Sequence, residues 1–190
     1  MRPGLRVFLD TQIVTCFPFV EQPDAFVPPG CESADYYVLM PVVRELERIK
    51  DEHYSAGQRA RASSCLEMLE DASHYDGTPM AGKKGCRLFF RHKEPSDHQL
   101  ASHGVRGETP DDRLVGNILV LSYQQAAEKT FVLSDDVGVR VRIKGEGVAH
   151  LIAYRPPAEL RFTPEVFNLP QNVKLAVKEL ATQIAAALRE

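Results

Sequence analysis

Short apolar segments alternate with longer amphipathic segments along most of the chain, and this alternation restricts the fold more than any other feature. Five segments, among them LRVFL and YYVLM, are short and apolar, as buried strands are. Strands are expected at residues 5–10, 36–41, 86–90, 131–134 and 149–154. Helices are expected at residues 41–50, 58–75, 110–127 and 171–190. Strands that alternate with helices predict βαβ units and an α/β fold with a mainly parallel sheet.

Two segments have a less regular pattern. Residues 91–109 are polar almost throughout and are expected to form a long loop, and long loops in compact domains are often functional. The segment VGVRVRIKG, residues 137–145, alternates apolar and polar residues like a strand, but it follows a strand, where a helix is expected. Both interpretations stay open for it.

Composition limits the organisation of the chain and its partners. The 190 residues, 44% of them hydrophobic, suffice for one domain, expected over residues 1–155. Residues 156–190 are expected to form a proline-rich connector and a C-terminal amphipathic helix that packs on the same domain or on a partner. The formal net charge of −3 gives no indication of a long basic groove for duplex binding.

The four cysteines and the start of the chain indicate its compartment. The cysteines show neither CxxC nor zinc-finger spacing, which favours free thiols in a reducing compartment. No signal-peptide region opens the chain, and no apolar run is long enough to span a membrane. The expected location is therefore the cytoplasm, with no membrane partner.

Six acids are candidate site residues. Five of them lie where a predicted strand ends or a predicted helix begins, the positions at which α/β proteins build their sites. The sixth, Glu45, borders the apolar stripe of its predicted helix, where a carboxylate is costly unless it has a partner. The other five are Asp10, Asp111, Asp112, Asp135 and Asp136.

Each of these acids also has a purely structural interpretation. Thr109, Pro110 and Asp112 have the spacing of a capping box, and acids in a first turn favour the helix dipole. Taken together, however, carboxylates that converge on one sheet edge repel each other and raise each other's pKa. A divalent cation removes that penalty, and oxygen ligands suit Mg²⁺ or Mn²⁺ better than zinc. Such a site can activate water against a phosphodiester.

Four motifs, in order along residues 5–148, together resemble those of PIN-domain nucleases. VFLDTQ looks like the opening strand of that family, and MPVVRELERIK is similar to its P-x-V-x-x-EL helix. TPDDRLVGNILVL resembles the ND-x-x-IL helix of the larger PIN domains, and FVLSDDVGVRVRIKGEGV resembles their L-[ST]-x-D-x-x-x-R stretch. The resemblance implies a three-layer α/β/α fold around a central, mainly parallel sheet.

The resemblance also implies roles for individual residues. Asp10, Glu45, Asp111 and Asp136 match the four family acids and would be catalytic. The metal would be held by three of these, with two neighbouring acids as further candidates. The three are Asp10, Asp111 and Asp136, and the further candidates are Asp112 and Asp135. Thr11, Ser134 and Arg140 would orient these groups or contact the substrate.

The implied activity is that of a metal-dependent endoribonuclease that uses Mg²⁺ or Mn²⁺ and acts on single-stranded RNA. Besides RNA, the sequence leaves open a homodimer and an antitoxin or other protein partner. Two departures from the family pattern are Gln12, where Asn or Ser is usual, and KGEG near the end of the fourth motif.

Two alternatives belong to other functional classes. One is a catalytically weak or inactive PIN-like module that binds RNA or protein. The other is an aspartyl-phosphate phosphatase of the haloacid-dehalogenase type, whose chemistry needs an aspartate where Gln12 stands. Basic residues at 59–61, 83–84 and 87–93 are candidates for phosphate contacts, although a solvated surface is the simpler interpretation of each cluster.

Overall fold

A computed structural model describes residues 5–52, 55–73, 77–124 and 129–162. Within these ranges six strands form one sheet. The strands are β1 (Leu5–Leu9), β2 (Ala34–Leu39), β3 (Thr78–Pro79), β4 (Arg87–Arg91), β5 (Thr130–Leu133) and β6 (Leu151–Tyr154). Their order across the sheet is β3-β4-β2-β1-β5-β6, and every pair is parallel except β3 with β4.

Helices flank the sheet, as expected for an α/β fold. They are α1 (Thr11–Cys16), α2 (Met40–Glu52), α3 (Ala56–Ser73), α4 (Asp97–Ser102), α5 (Pro110–Gln124) and α6 (Val137–Gly145). Short 3₁₀ turns occupy Pro23–Phe26 and Ala158–Leu160. None of the helices in the described ranges is both long and apolar enough to cross a membrane.

The centre of the sheet is the hydrophobic core. All six residues of β2 are buried, as are four of the five in β1, which is the pattern of parallel strands covered on both faces. In the register of β1 with its neighbours, Phe8 lies beside Tyr37 and Leu9 beside Leu133. The carboxyl ends of β1 and β5 therefore lie side by side, so that Asp10 and Ser134 are neighbours.

The structure confirms the predicted α/β fold and its mainly parallel sheet, with shifts at the element ends. Helix α2 begins at Met40, directly after β2, so that Pro41 takes the second helical position and not the first. The ambiguous segment 137–145 is helix α6, because the Asp136 carboxylate accepts the backbone N–H groups of Gly138 and Val139 and so starts a helix. The predicted C-terminal helix lies outside the described residues.

The expectation that residues 91–109 form one continuous loop was wrong. They contain α4, which Ser96 and Gln99 start with a capping box: the Gln99 amide donates to Ser96 Oγ at 3.3 Å, and the Ser96 amide donates to Gln99 Oε1 at 2.9 Å. Short helix α1 was not predicted, since its six residues give too few turns for a periodic signal.

Helix α4 is held against α5 by close packing at a glycine. Leu100 of α4 is fully buried, and a Cβ added at Gly116 of α5 would lie 2.7 Å from its Cδ2 and 3.0 Å from Cγ1 of Val105. The missing side chain at Gly116 therefore lets the segment that contains α4 approach α5.

We expect Gly116→Ala to lower the free energy of unfolding by about 1–2 kcal/mol, because the strain of overpacking exceeds the gain in helix propensity. Urea unfolding followed by circular dichroism measures this. Gly145→Ala is the matched control, since nothing lies within 4 Å of its added Cβ. A stabilising Gly116→Ala would contradict this account of the packing.

Candidate active site

Asp10 follows β1 and is nearly excluded from solvent, with 5% of its surface exposed. Its amide donates to the Leu133 carbonyl at 3.1 Å, which continues the pairing of β1 with β5 by one residue. The buried Ser134 hydroxyl donates to Asp10 Oδ2 at 2.6 Å. Asp10 is therefore fixed at the carboxyl end of the sheet, which is where α/β proteins place their sites.

Glu45 reaches the same end of the sheet from α2. The Thr11 hydroxyl donates to Glu45 Oε2 at 2.6 Å, and Arg48 Nη2 lies 3.7 Å from Oε1. The side chain of Glu45 is 32% exposed, so it borders the solvent while its orientation is set by Thr11. This contact supplies the partner that a carboxylate beside an apolar stripe requires.

Four acids interact through their charges. Burial raises the pKa of Asp10 to about 6, against the lowering effect of the Ser134 hydrogen bond, and the charges of Glu45 and Asp111 add to the increase. The pKa of Asp111 is also raised, first by partial burial and then by the charge of Asp136. Asp10, Glu45, Asp111 and Asp136 thus form one electrostatically connected set, which we call the acidic quartet.

The donor atoms of the acidic quartet suit a hard divalent cation. The described part of the chain contains no group of three or more His, Cys, Asp or Glu side chains already placed to hold a metal ion. Mg²⁺, however, keeps several of its waters and takes only one or two carboxylates from a protein. Burial, and after it the charges of Glu45 and Asp111, disfavour the ionised form of Asp10 and raise its pKa, and a bound cation would relieve that penalty. The residues therefore fit such an ion.

The structure gives Asp112 a structural role. Its amide donates to Thr109 Oγ1 at 3.1 Å, and its Oδ2 accepts the Thr109 amide at 3.0 Å, which confirms the predicted capping box. Arg142 of α6 donates to the other carboxylate oxygen. Both oxygens of Asp112 are thus engaged within the chain, whereas Asp111 beside it is only partly buried.

Asp135 is engaged in the same way. Its side chain is 3% exposed, and its two oxygens accept from Arg155 Nε at 3.0 Å and Arg161 Nη1 at 2.7 Å. The charges that raise the pKa of Asp10 come instead from Glu45 and Asp111. The structure therefore separates Asp135, which joins β5 to the segment after β6, from the acidic quartet.

Ser134 and Arg140 hold the turn between β5 and α6, next to Asp10 and Asp136. The Ser134 hydroxyl accepts a hydrogen bond from the Asp136 amide at 3.0 Å and donates its own hydrogen to Asp10. A single hydroxyl therefore links two acids. Arg140 Nη1 donates to the Ser134 carbonyl at 2.7 Å and holds the turn between β5 and α6.

Three arginines near the site were not predicted from the sequence. Arg44 and Arg48 of α2 and Arg113 of α5 line a cleft of about 360 Å³ that Glu45 also borders. Arg44 and Arg48 are four residues apart and so share a helix face, but nothing in the sequence places Arg113 opposite them.

One comparison with known proteins identifies a family. A protein-family model for the PIN domain matches residues 9–151, which is well over half of the chain and includes every member of the acidic quartet. Curated protein sequences give no significant match.

Replacing Asp10 with asparagine should raise the free energy of unfolding of the metal-free protein. The folded-state pKa of about 6 lies above the ordinary 3.8, so ionised Asp10 destabilises the native state at pH 7 by at most about 3 kcal/mol. We expect Asp10→Asn to raise the free energy of unfolding by about 1–3 kcal/mol at pH 7 in EDTA. The increase should disappear below about pH 4, where Asp10 of the wild type is protonated in both the folded and the unfolded state. Urea unfolding at several pH values measures it, and a loss of stability at pH 7 would refute it.

Replacing Asp135 with asparagine should destabilise the protein, whereas the same change at the neighbouring Asp136 should have little effect on stability. Asp135→Asn leaves Arg155 and Arg161 without their buried carboxylate, and we expect it to lower the free energy of unfolding by about 1–3 kcal/mol. The loss is no larger because water can solvate both arginines, which are half exposed. Asp136→Asn is the matched control, because asparagine is an equally good helix cap. Equal melting temperatures for the two variants would show that the arginines contribute nothing.

Proposed function

The chain belongs to the PIN-domain family, whose members are generally nucleases, and we propose that it is a metal-dependent endoribonuclease that hydrolyses phosphodiester bonds of single-stranded RNA. One observation carries the proposal: Asp10 is buried, yet it lies within the electrostatic influence of Glu45 and Asp111. Unfavourable arrangements of charge of this kind are concentrated at functional sites, and cation-assisted phosphodiester hydrolysis is the chemistry that fits these acids.

The residues that would hold Mg²⁺ or Mn²⁺ are Asp10, Asp111 and Asp136, with Glu45 beside them. When bound, the ion supplies a water of lowered pKa and neutralises charge that develops on the phosphate. The chain itself supplies orientation. Ser134 fixes the Asp10 carboxylate, and Thr11 fixes that of Glu45. These hydrogen bonds hold the carboxylates in place before the substrate arrives.

A single strand is the substrate that the surroundings of the site favour. The cleft beside Glu45, of about 360 Å³, is at the small end of ligand sites and has room for about one nucleotide unit. An unpaired strand can bend so that one phosphate reaches the sheet edge while its neighbours follow the surface.

The test is cleavage of a labelled single-stranded RNA with Mn²⁺, with Mg²⁺ and with EDTA. We expect cleavage that requires the metal and falls at least about 100-fold in Asp10→Asn and Glu45→Gln, because each variant removes a charge from the acidic quartet. Glu47→Gln is the matched control, since Glu47 is exposed on the same helix and should keep wild-type activity.

Two outcomes would contradict the proposal. Equal cleavage by the wild type and both acid variants would show a contaminating nuclease. Binding of RNA without cleavage under every metal condition would show a binding module.

Asp111→Asn and Asp112→Asn, assayed together, identify the acid required on α5, and we expect only the first to lose activity.

A further inference from the structure

The cleft between α2 and α5 presents three arginines directly beside the acidic quartet. Arg44, Arg48 and Arg113 line it together with two acids, Glu45 and Glu108. Glu45 belongs both to this cleft and to the candidate active site. A ligand in the cleft would therefore be the immediate neighbour of a group bound at the acids.

Two of these arginines are held by acids from a single segment. Arg44 donates through Nη1 to Glu94 Oε1 at 3.3 Å and through Nη2 to Glu94 Oε2, a two-point contact. Arg113 Nη2 lies 3.5 Å from Asp97 Oδ1. Glu94 and Asp97 both belong to the connection from β4 into α4, which packs against α5 at Gly116.

The contact of Arg44 with Glu94 has the geometry in which a guanidinium binds a phosphate. Two parallel N–H donors face two anionic oxygens, and a phosphodiester presents the same pair of oxygens as a carboxylate. The Arg44 side chain is 53% exposed, so its guanidinium is accessible to a phosphate from solvent. The Glu94 side chain is only 19% exposed, so separating the pair costs more than separating a fully exposed one.

The geometry points to a phosphate-binding subsite: the arginines of this cleft bind the backbone phosphate next to the scissile bond, and Glu94 and Asp97 occupy Arg44 and Arg113 until RNA displaces them. The inference rests on the proposed function for the identity of the ligand, single-stranded RNA. It assigns the direction in which the RNA strand leaves the acidic quartet, along the cleft between the first nine residues of α2 and the first turn of α5.

Substitutions at the two ends of one ion pair should change RNA affinity in opposite directions. We measure binding of a fluorescent single-stranded RNA to the full chain in EDTA by anisotropy. Arg44→Gln should weaken binding about 5- to 10-fold, because a phosphate contact is lost. Glu94→Gln should strengthen binding about 3-fold or more, because Arg44 is released and a repulsive charge is removed.

A double-mutant cycle separates this mechanism from a general effect of charge. If Glu94 acts by occupying Arg44, the gain from Glu94→Gln should shrink at least about 3-fold in the Arg44→Gln background. The variant Arg44→Gln/Arg113→Gln should also reduce the slope of log affinity against log salt by about 1.4, since each single-strand phosphate contact contributes about 0.7.

Lys84→Gln is the control for nonspecific charge. Lys84 is exposed in the turn before β4, at the amino-terminal end of the sheet, opposite the acids. It should bind RNA like the wild type. Three results would each overturn the subsite. They are an effect of Lys84→Gln equal to that of Arg44→Gln, no gain in affinity from Glu94→Gln, and no RNA binding by the wild type.

Cleavage kinetics distinguish failure of the subsite from failure of the nuclease proposal. With Mn²⁺, Arg44→Gln should raise KM with little change in kcat, the reverse of the acid variants. Metal-dependent cleavage in which Arg44→Gln and Glu94→Gln match the wild type would overturn only the subsite. The expected binding pattern without cleavage would overturn the nuclease proposal and support the cleft as a phosphate site.

Discussion

The pairing of β1 with β5 is the constraint on which the rest of the site depends. It brings Asp10 next to Ser134, 124 residues away in the chain, and the hydrogen bond between them closes the contact. Helix α1 starts immediately after Asp10, which places Thr11 where it can orient Glu45. Helix α6 starts after Asp136, which is held in turn by Ser134. A slip of one residue in this register would move each side chain to the opposite face of the sheet and separate Asp10 from Ser134.

Adjacent acids in this protein have opposite energetic roles. Asp135 and Asp112 are matched by arginines, so their charges are compensated within the chain. Asp10 is buried, and the charges of Glu45 and Asp111 add to the increase in its pKa that burial causes. Asp112 and Asp135 therefore stabilise the framework, whereas Asp10 adds negative charge to the field that would attract a positive ion. The framework, with its fully buried β2 and its bidentate Arg87–Asp35 pair at 2.7 and 2.9 Å, supplies the stability that the site lacks.

The sequence indicated those features that depend on local pattern. The alternation of short apolar and amphipathic segments gave the parallel sheet, and the position of each acid relative to a strand or helix end gave the candidate residues. Local pattern could not distinguish the role of Asp111 from that of Asp112, or the role of Asp135 from that of Asp136. The arginines that engage one member of each pair lie 20 to 30 residues away in the chain. Helix α4 was missed although its Ser96–Gln99 capping box was readable, since the surrounding polarity suggested a loop. The arginine cleft depends on packing between α2 and α5, which no local pattern reports.

Each hydrogen bond that orders the acidic quartet also limits how its members can coordinate. Ser134 donates to one oxygen of Asp10, Thr11 to one of Glu45, and the first amides of α6 to one of Asp136. One oxygen of each of these three carboxylates thus already accepts a hydrogen bond, which leaves the other oxygen as the freer position for a ligand. Calcium is commonly held by bidentate carboxylates in large, irregular shells, whereas Mg²⁺ takes single oxygens in a small octahedron. The hydrogen bonds that position these three acids would therefore suit the proposed Mg²⁺ or Mn²⁺ better than calcium.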